Sequence, residues 1–172
     1  MRKLEPFILF FLLFAFFGCG DKLPPGMPKL YETVLTITQD GSPLANANVL
    51  VISEDYAVVP YSAGGQTDKS GKVRLLTEGR YKGLPAGKYI IAVSKIEGPD
   101  VTLPTKVNTD EEIAEYNKLT DEIAKNSFMV VSEDFSDPAK SPLRLEVQRK
   151  TTATFDVSPK VKLKPPTDTT RR

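Results

Sequence analysis

Runs of five to eight residues with strand-like patterning, set apart by turns rich in Gly, Pro, Asp or Asn, constrain this chain most: that rhythm builds packed sheets. Residues 31–38 (YETVLTIT) put Tyr31, Thr33, Leu35 and Ile37 on one face, and Gln39-Asp40-Gly41-Ser42-Pro43 follows as a turn. Residues 47–52 (ANVLVI), 72–76 (KVRLL) and 88–94 (KYIIAVS) are short, rich in β-branched or aromatic residues, and separated by loops that contain glycine. Residues 143–149 (LRLEVQR) and 151–157 (TTATFDV) alternate again, with Leu143, Leu145 and Val147, then Ala153, Phe155 and Val157, facing inward; they are expected to close the fold as a hairpin. The pattern predicts a mainly-β protein, an Ig-like antiparallel β-sandwich of about seven strands over residues 31–157.

How such a sandwich holds together follows from what the chain lacks. With one Cys in 172 residues it has no internal disulfide, so its stability rests on burial of apolar surface. With no His it has no imidazole-based zinc site and no catalytic triad with a histidine base. Lys plus Arg number 23 against 22 for Asp plus Glu, a net charge of +1, which gives no bulk attraction to nucleic acid or to an acidic substrate. No catalytic residue, cofactor or metal site is expected.

The amino terminus reads as a leader. Met1-Arg2-Lys3 is cationic, and residues 7–17 (FILFFLLFAFF) form an unbroken apolar run of eleven residues that ends in Gly18-Cys19-Gly20. A spanning helix needs about 20 apolar residues, so this run is the length of a secretion signal. Phe16-Phe17-Gly18-Cys19 resembles the bacterial lipobox, in which a small residue precedes a Cys that takes a diacylglycerol before cleavage; Phe16 and Phe17 stand where the commonest box has Leu and a small residue. That resemblance implies a signal peptide over 1–18 and lipidation of Cys19. Two or three acyl chains, at about 0.8 kcal/mol per buried CH₂, make an effectively permanent membrane anchor. Residues 19–30, with their prolines and glycines, are expected to be an extended tether.

Between the two groups of strands lies an insert over residues 100–135. Residues 110–126 (DEEIAEYNKLTDEIAKN) predict a helix, with Thr109 and Glu112 spaced as a capping box and Asp121 one turn before Lys125. Ile113, Tyr116, Leu119 and Ile123 form a narrow apolar stripe suited to docking on a sheet. Glu111-Glu112 and Asp121-Glu122 read as a solvated face rather than as acid/base catalysts. The helix with its long loops is a candidate contact surface for a partner. Residues 158–172 (SPKVKLKPPTDTTRR) carry five basic residues against one acid, with three prolines and no apolar period, and are expected to be a disordered tail.

Three stretches give a resemblance. Asp40-Gly41-Ser42-Pro43-Leu44-Ala45-Asn46-Ala47-Asn48-Val49, then Gln66-Thr67-Asp68-Lys69-Ser70-Gly71-Lys72-Val73, then Leu84-Pro85-Ala86-Gly87-Lys88-Tyr89 resemble, in that order, the carboxypeptidase regulatory-like (transthyretin-like) domains. Residues 134–143 (DFSDPAKSPL) look like the closing part of such domains in small planctomycete-type lipoproteins. The resemblance implies a non-catalytic module; related hydroxyisourate hydrolases and zinc carboxypeptidases depend on histidines, which are missing here. Physically, Asp68-Lys69-Ser70-Gly71 predicts a tight turn in which Asp68 accepts backbone hydrogen bonds and Gly71 takes positive φ; the loop lacks the run of oxygen donors a calcium site requires. Tyr31, Tyr81, Tyr89 and Phe155 admit an aromatic sugar-binding platform, but their alternating positions favour core packing. The leading expectation is therefore a membrane-anchored lipoprotein of the bacterial cell envelope, a structural or protein-interaction module with an envelope protein as its possible partner. The alternative is a carbohydrate- or peptide-binding lipoprotein of an uptake or adhesion system.

Overall fold

The computed structural model describes residues 23–55 and 59–165. The expected signal peptide, Cys19 and the last residues of the tail lie outside the described residues. In chain order the extended segments are β1 (Leu30–Tyr31), β2 (Thr33–Gln39), β3 (Ser42–Pro43), β4 (Asn48–Ser53), β5 (Ala63–Gln66), β6 (Lys72–Arg74) and β7 (Leu76–Thr77). They continue as β8 (Tyr81–Lys82), β9 (Leu84–Pro85), β10 (Gly87–Ser94), β11 (Ile96–Glu97), β12 (Phe128–Met129), β13 (Arg144–Val147) and β14 (Thr151–Asp156). Two helices, α1 (Asp110–Asn126) and α2 (Glu133–Ser136), flank β12.

The larger sheet runs β13-β10-β4-β5-β7-β8, all antiparallel. The smaller has β2 at its centre, with β14 on one side and β3 and β6 on the other. Their inner faces share one core: Leu35, Ile37, Val73 and Val157 meet Val49, Val51, Ile91, Val93, Leu145 and Val147, all buried. Each such side chain contributes about 1.5–3 kcal/mol of hydrophobic stabilisation, which a chain without disulfides needs. The mainly-β sandwich predicted by the alternation is what forms, and the predicted inward sets of β2 and β13 are the buried ones.

The turns follow local chemistry. Asp40 and Gly41, both at positive φ, make the two-residue link between β2 and β3. At the next turn Asp68 Oδ1 accepts from the Ser70 N–H (2.8 Å), the Lys72 N–H (3.0 Å) and the Ser70 hydroxyl (2.7 Å), as predicted. Gly71 sits at φ 72°, and a Cβ there would lie 2.5 Å from the Ile37 carbonyl oxygen, so this position excludes other residues twice over. Tyr89, fully buried, donates its hydroxyl to the Pro85 carbonyl at 2.7 Å and so pins the bend between β9 and β10.

Four expectations are corrected. First, β13 and β14 are not a hairpin: β13 pairs with β10 in the larger sheet, while β14 crosses over to run parallel to β2. Alternation sets which face is buried but not which strand lies alongside, and the sandwich is therefore not antiparallel throughout. Second, residues 63–66 form a strand despite two glycines. A Cβ on Gly64 would lie 2.5 Å from the Val49 carbonyl oxygen, so the close pass of β5 along β4 demands the residue that strand propensity disfavours. Third, no residue of α1 is buried; Tyr116, Leu119 and Ile123 are only half-covered and Ile113 is 47% exposed. The short α2, not α1, packs beside β10, with Phe135 against the core. Fourth, residues 158–165 of the expected disordered tail are tied down. The Lys160 N–H donates to Asp40 Oδ2 (3.0 Å), and the N–H groups of Val161 and Leu163 donate to the carbonyls of Val130 (3.1 Å) and Met129 (3.0 Å).

Candidate functional site

The insert and this C-terminal strap build one continuous feature at an end of the sandwich. β11 pairs with β12, and β12 bridges to Leu163, so three short extended pieces lie side by side. Cross-strand partners point to the same face, and here they are Ile96, Met129 and Leu163. Ile96 is 61% and Leu163 44% exposed, the least covered large apolar side chains of this part of the fold apart from Ile113. Beside them lies a hollow of about 400 Å³ lined by Met129, Leu163, Glu133, Ser136, Asp137 and Lys164.

Polar contacts hold this ribbon in place. Buried Gln39 donates its amide to the Val130 carbonyl at 2.8 Å, so β2 fixes the base of β12. Glu97 takes ion pairs from Lys95 (2.9 Å) and Lys160 (3.0 Å), which hold its carboxyl below the usual range and fasten the strap to β11. Lys162 lies 4.6 Å from the centre of the Phe128 ring. Lys164 donates to the Lys125 carbonyl at the last turn of α1. On the rim, Lys140 pairs with Glu133 at 2.5 Å, which raises the ammonium's pKa. The feature is an apolar strip with a self-neutralised rim.

The other candidates fall apart in space. Tyr89 is buried, so it belongs to no exposed platform; Tyr31 and Phe155 pack half-buried against the core. Tyr81 is half-buried on β8 with the Arg80 guanidinium 5.3 Å from its ring centre. Asp68 makes its turn, and its carboxyl is held low first by the Ser70 hydroxyl and then by the backbone of Lys72 and Ser70. Glu112 closes the capping box, its Oε2 accepting from the N–H of Thr109 (3.1 Å) and of Asn108 (2.7 Å). Glu111, Asp121 and Glu122 lie on the exposed surface of α1. Two further lowered carboxyls are structural as well: Glu32 through its ion pair with Lys150, and Asp156 through Ser158 and Thr38.

Sequence reasoning missed the ribbon because β11 and β12 are two residues each and the strap's order comes from partners far along the chain. The one readable signal was the apolar positions Val161 and Leu163, set between lysines in the expected tail. Among the described residues no His, Cys, Asp and Glu side chains gather in threes or more to hold a metal, and no helix is long and apolar enough to cross a membrane. No family profile, curated protein or solved structure matches the chain.

Proposed function

We propose that this chain is a non-enzymatic lipoprotein of the bacterial cell envelope, anchored by lipid on Cys19 and presenting a transthyretin-like β-sandwich as a structural or protein-interaction module. One observation carries the reading: the only Cys in 172 residues directly follows an eleven-residue apolar run and Gly18, behind a cationic start. A run of that length fits export and falls short of a span. The geometry is compatible with this use. Residues 23–29 precede the first strand with only a turn, in which the Met27 N–H donates to the Pro24 carbonyl, and they suit a spacer between bilayer and sandwich. The ribbon of Ile96, Met129 and Leu163 supplies a contact patch.

The test is intact mass and membrane fractionation after expression in a bacterium with lipoprotein processing, with wild type beside Cys19→Ala. Wild type is expected in the membrane fraction, with an acylated amino-terminal Cys19, and the variant outside that fraction and unacylated. A wild-type protein that is soluble and unacylated overturns the anchor.

A further inference from the structure

The sandwich guards its sheet edges, with one exception. On the larger sheet β8 is two residues long, and β13 turns Arg144 and Glu146 to solvent, Arg144 in an ion pair with Glu54 (2.9 Å). On the smaller sheet β3 is two residues with a proline, and β6 exposes Lys72 and Arg74. Short strands, charge and proline all discourage pairing with another chain. β14 has none of these protections over residues 151–155, Thr-Thr-Ala-Thr-Phe.

β14 is also chemically open. Among the described residues it pairs only with β2, in parallel, and the N–H groups of Thr151 and Val157 donate to the carbonyls of Glu32 (3.0 Å) and Thr38 (2.9 Å). Odd positions therefore face β2, and the backbone groups of Thr152, Thr154 and Asp156 point to the opposite side, where no described strand pairs with them. The side chains of those same three residues are exposed, while Thr151, Ala153 and Phe155 are half-buried toward the core.

We propose that this edge pairs with the same edge of a second copy of this chain, antiparallel about a two-fold axis at Ala153, to make one sheet across two molecules. The sequence selects that register. With Ala153 opposite its own copy, Thr152 faces Thr154, and at each end Lys150, paired with Glu32 of its own chain at 2.7 Å, comes opposite Asp156, so that its ammonium bridges the two acids. A shift of two residues toward the carboxyl end puts Lys150 opposite Ser158, and a shift the other way puts it opposite Thr154; either loses both pairs. On the inner face Phe155 comes to lie against Thr151, and its half-exposed ring gains cover.

The test is native mass of the full chain in detergent, wild type beside Thr154→Pro and Thr154→Lys. The Thr154 N–H faces the open edge and its side chain is exposed, so both variants keep the fold; proline removes the edge donor and lysine brings a cation near Lys150 of the other copy. Wild type is expected at twice the mass of one chain, and each variant at half the wild-type value with an unchanged circular-dichroism spectrum, its melting temperature lower only by the lost association. In the predicted register Ala153→Cys, made in a Cys19→Ala background, forms a disulfide-linked dimer under oxidation, because directly opposed non-hydrogen-bonded partners lie about 4.5 Å apart at Cα; Thr154→Cys in that background and Cys19→Ala alone do not. A monomeric wild type overturns the proposal. So does a dimer that survives both Thr154 variants.

Discussion

Tyr89 shows how one side chain does two jobs in this core. Its ring is fully buried, and its hydroxyl ties off the Pro85 carbonyl at the bend into β10. Burial pushes its ionisation up to about 12 from the ordinary 10, because a phenolate has no solvent there. The share of stability that rests on Tyr89 staying neutral is thus complete below about pH 10 and is lost between pH 10 and 12, as the unfolded chain releases a proton the folded one retains. Tyr89→Phe is expected to cost about 1–2 kcal/mol at neutral pH by leaving the Pro85 carbonyl unpaired, and to flatten the alkaline loss; denaturant unfolding at pH 7 and pH 11 measures both. Local chemistry of this kind was legible. The Asp68 turn could be read because its donors and acceptor lie within four residues. Gly64 could not, since its reason is a carbonyl on a neighbouring strand, and a glycine pair in sequence argues against a strand.

At the scale of elements, α1 and the strap are mirror cases. The helix was legible in place, length and cap, because the Thr109–Glu112 box and the 3.6-residue period are written within it. Its docking was not, because a stripe records what a helix would bury and not whether a sheet face is free; α2 and Phe135 hold that position. Since no α1 residue is buried, its stability is separable from that of the sandwich. Thr109→Ala is expected to weaken the helix by about 1 kcal/mol, to raise amide exchange across residues 110–126 about five-fold, and to leave the melting temperature in place; exchange followed by mass spectrometry reads it. The strap reverses the lesson. Its lysines and prolines read as tail, yet Asp40, Glu97 and Val130 supply partners that composition does not reveal.

For the whole molecule, the sandwich class was readable from the alternating faces, and the parallel alliance of β2 with β14 was not. That alliance sets how the protein carries load. β2 is the first long strand and β14 the last, and they lie in register from Thr33 beside Thr151 to Thr38 beside Asp156. Tension on the amino-terminal side drags β2 from its Thr33 end, and tension on the carboxy-terminal side drags β14 from its Asp156 end, in the opposite direction. The two strands must then slide past one another, so their rungs resist together instead of parting one at a time as in a peeled hairpin. Single-molecule pulling from the two termini should give a markedly higher rupture force than pulling from residue 149 at the β13–β14 crossing against the amino terminus, which peels β14 from its Thr151 end. A domain tethered to a bilayer at one end and gripped at the other would stay folded under drag that opens an antiparallel closure.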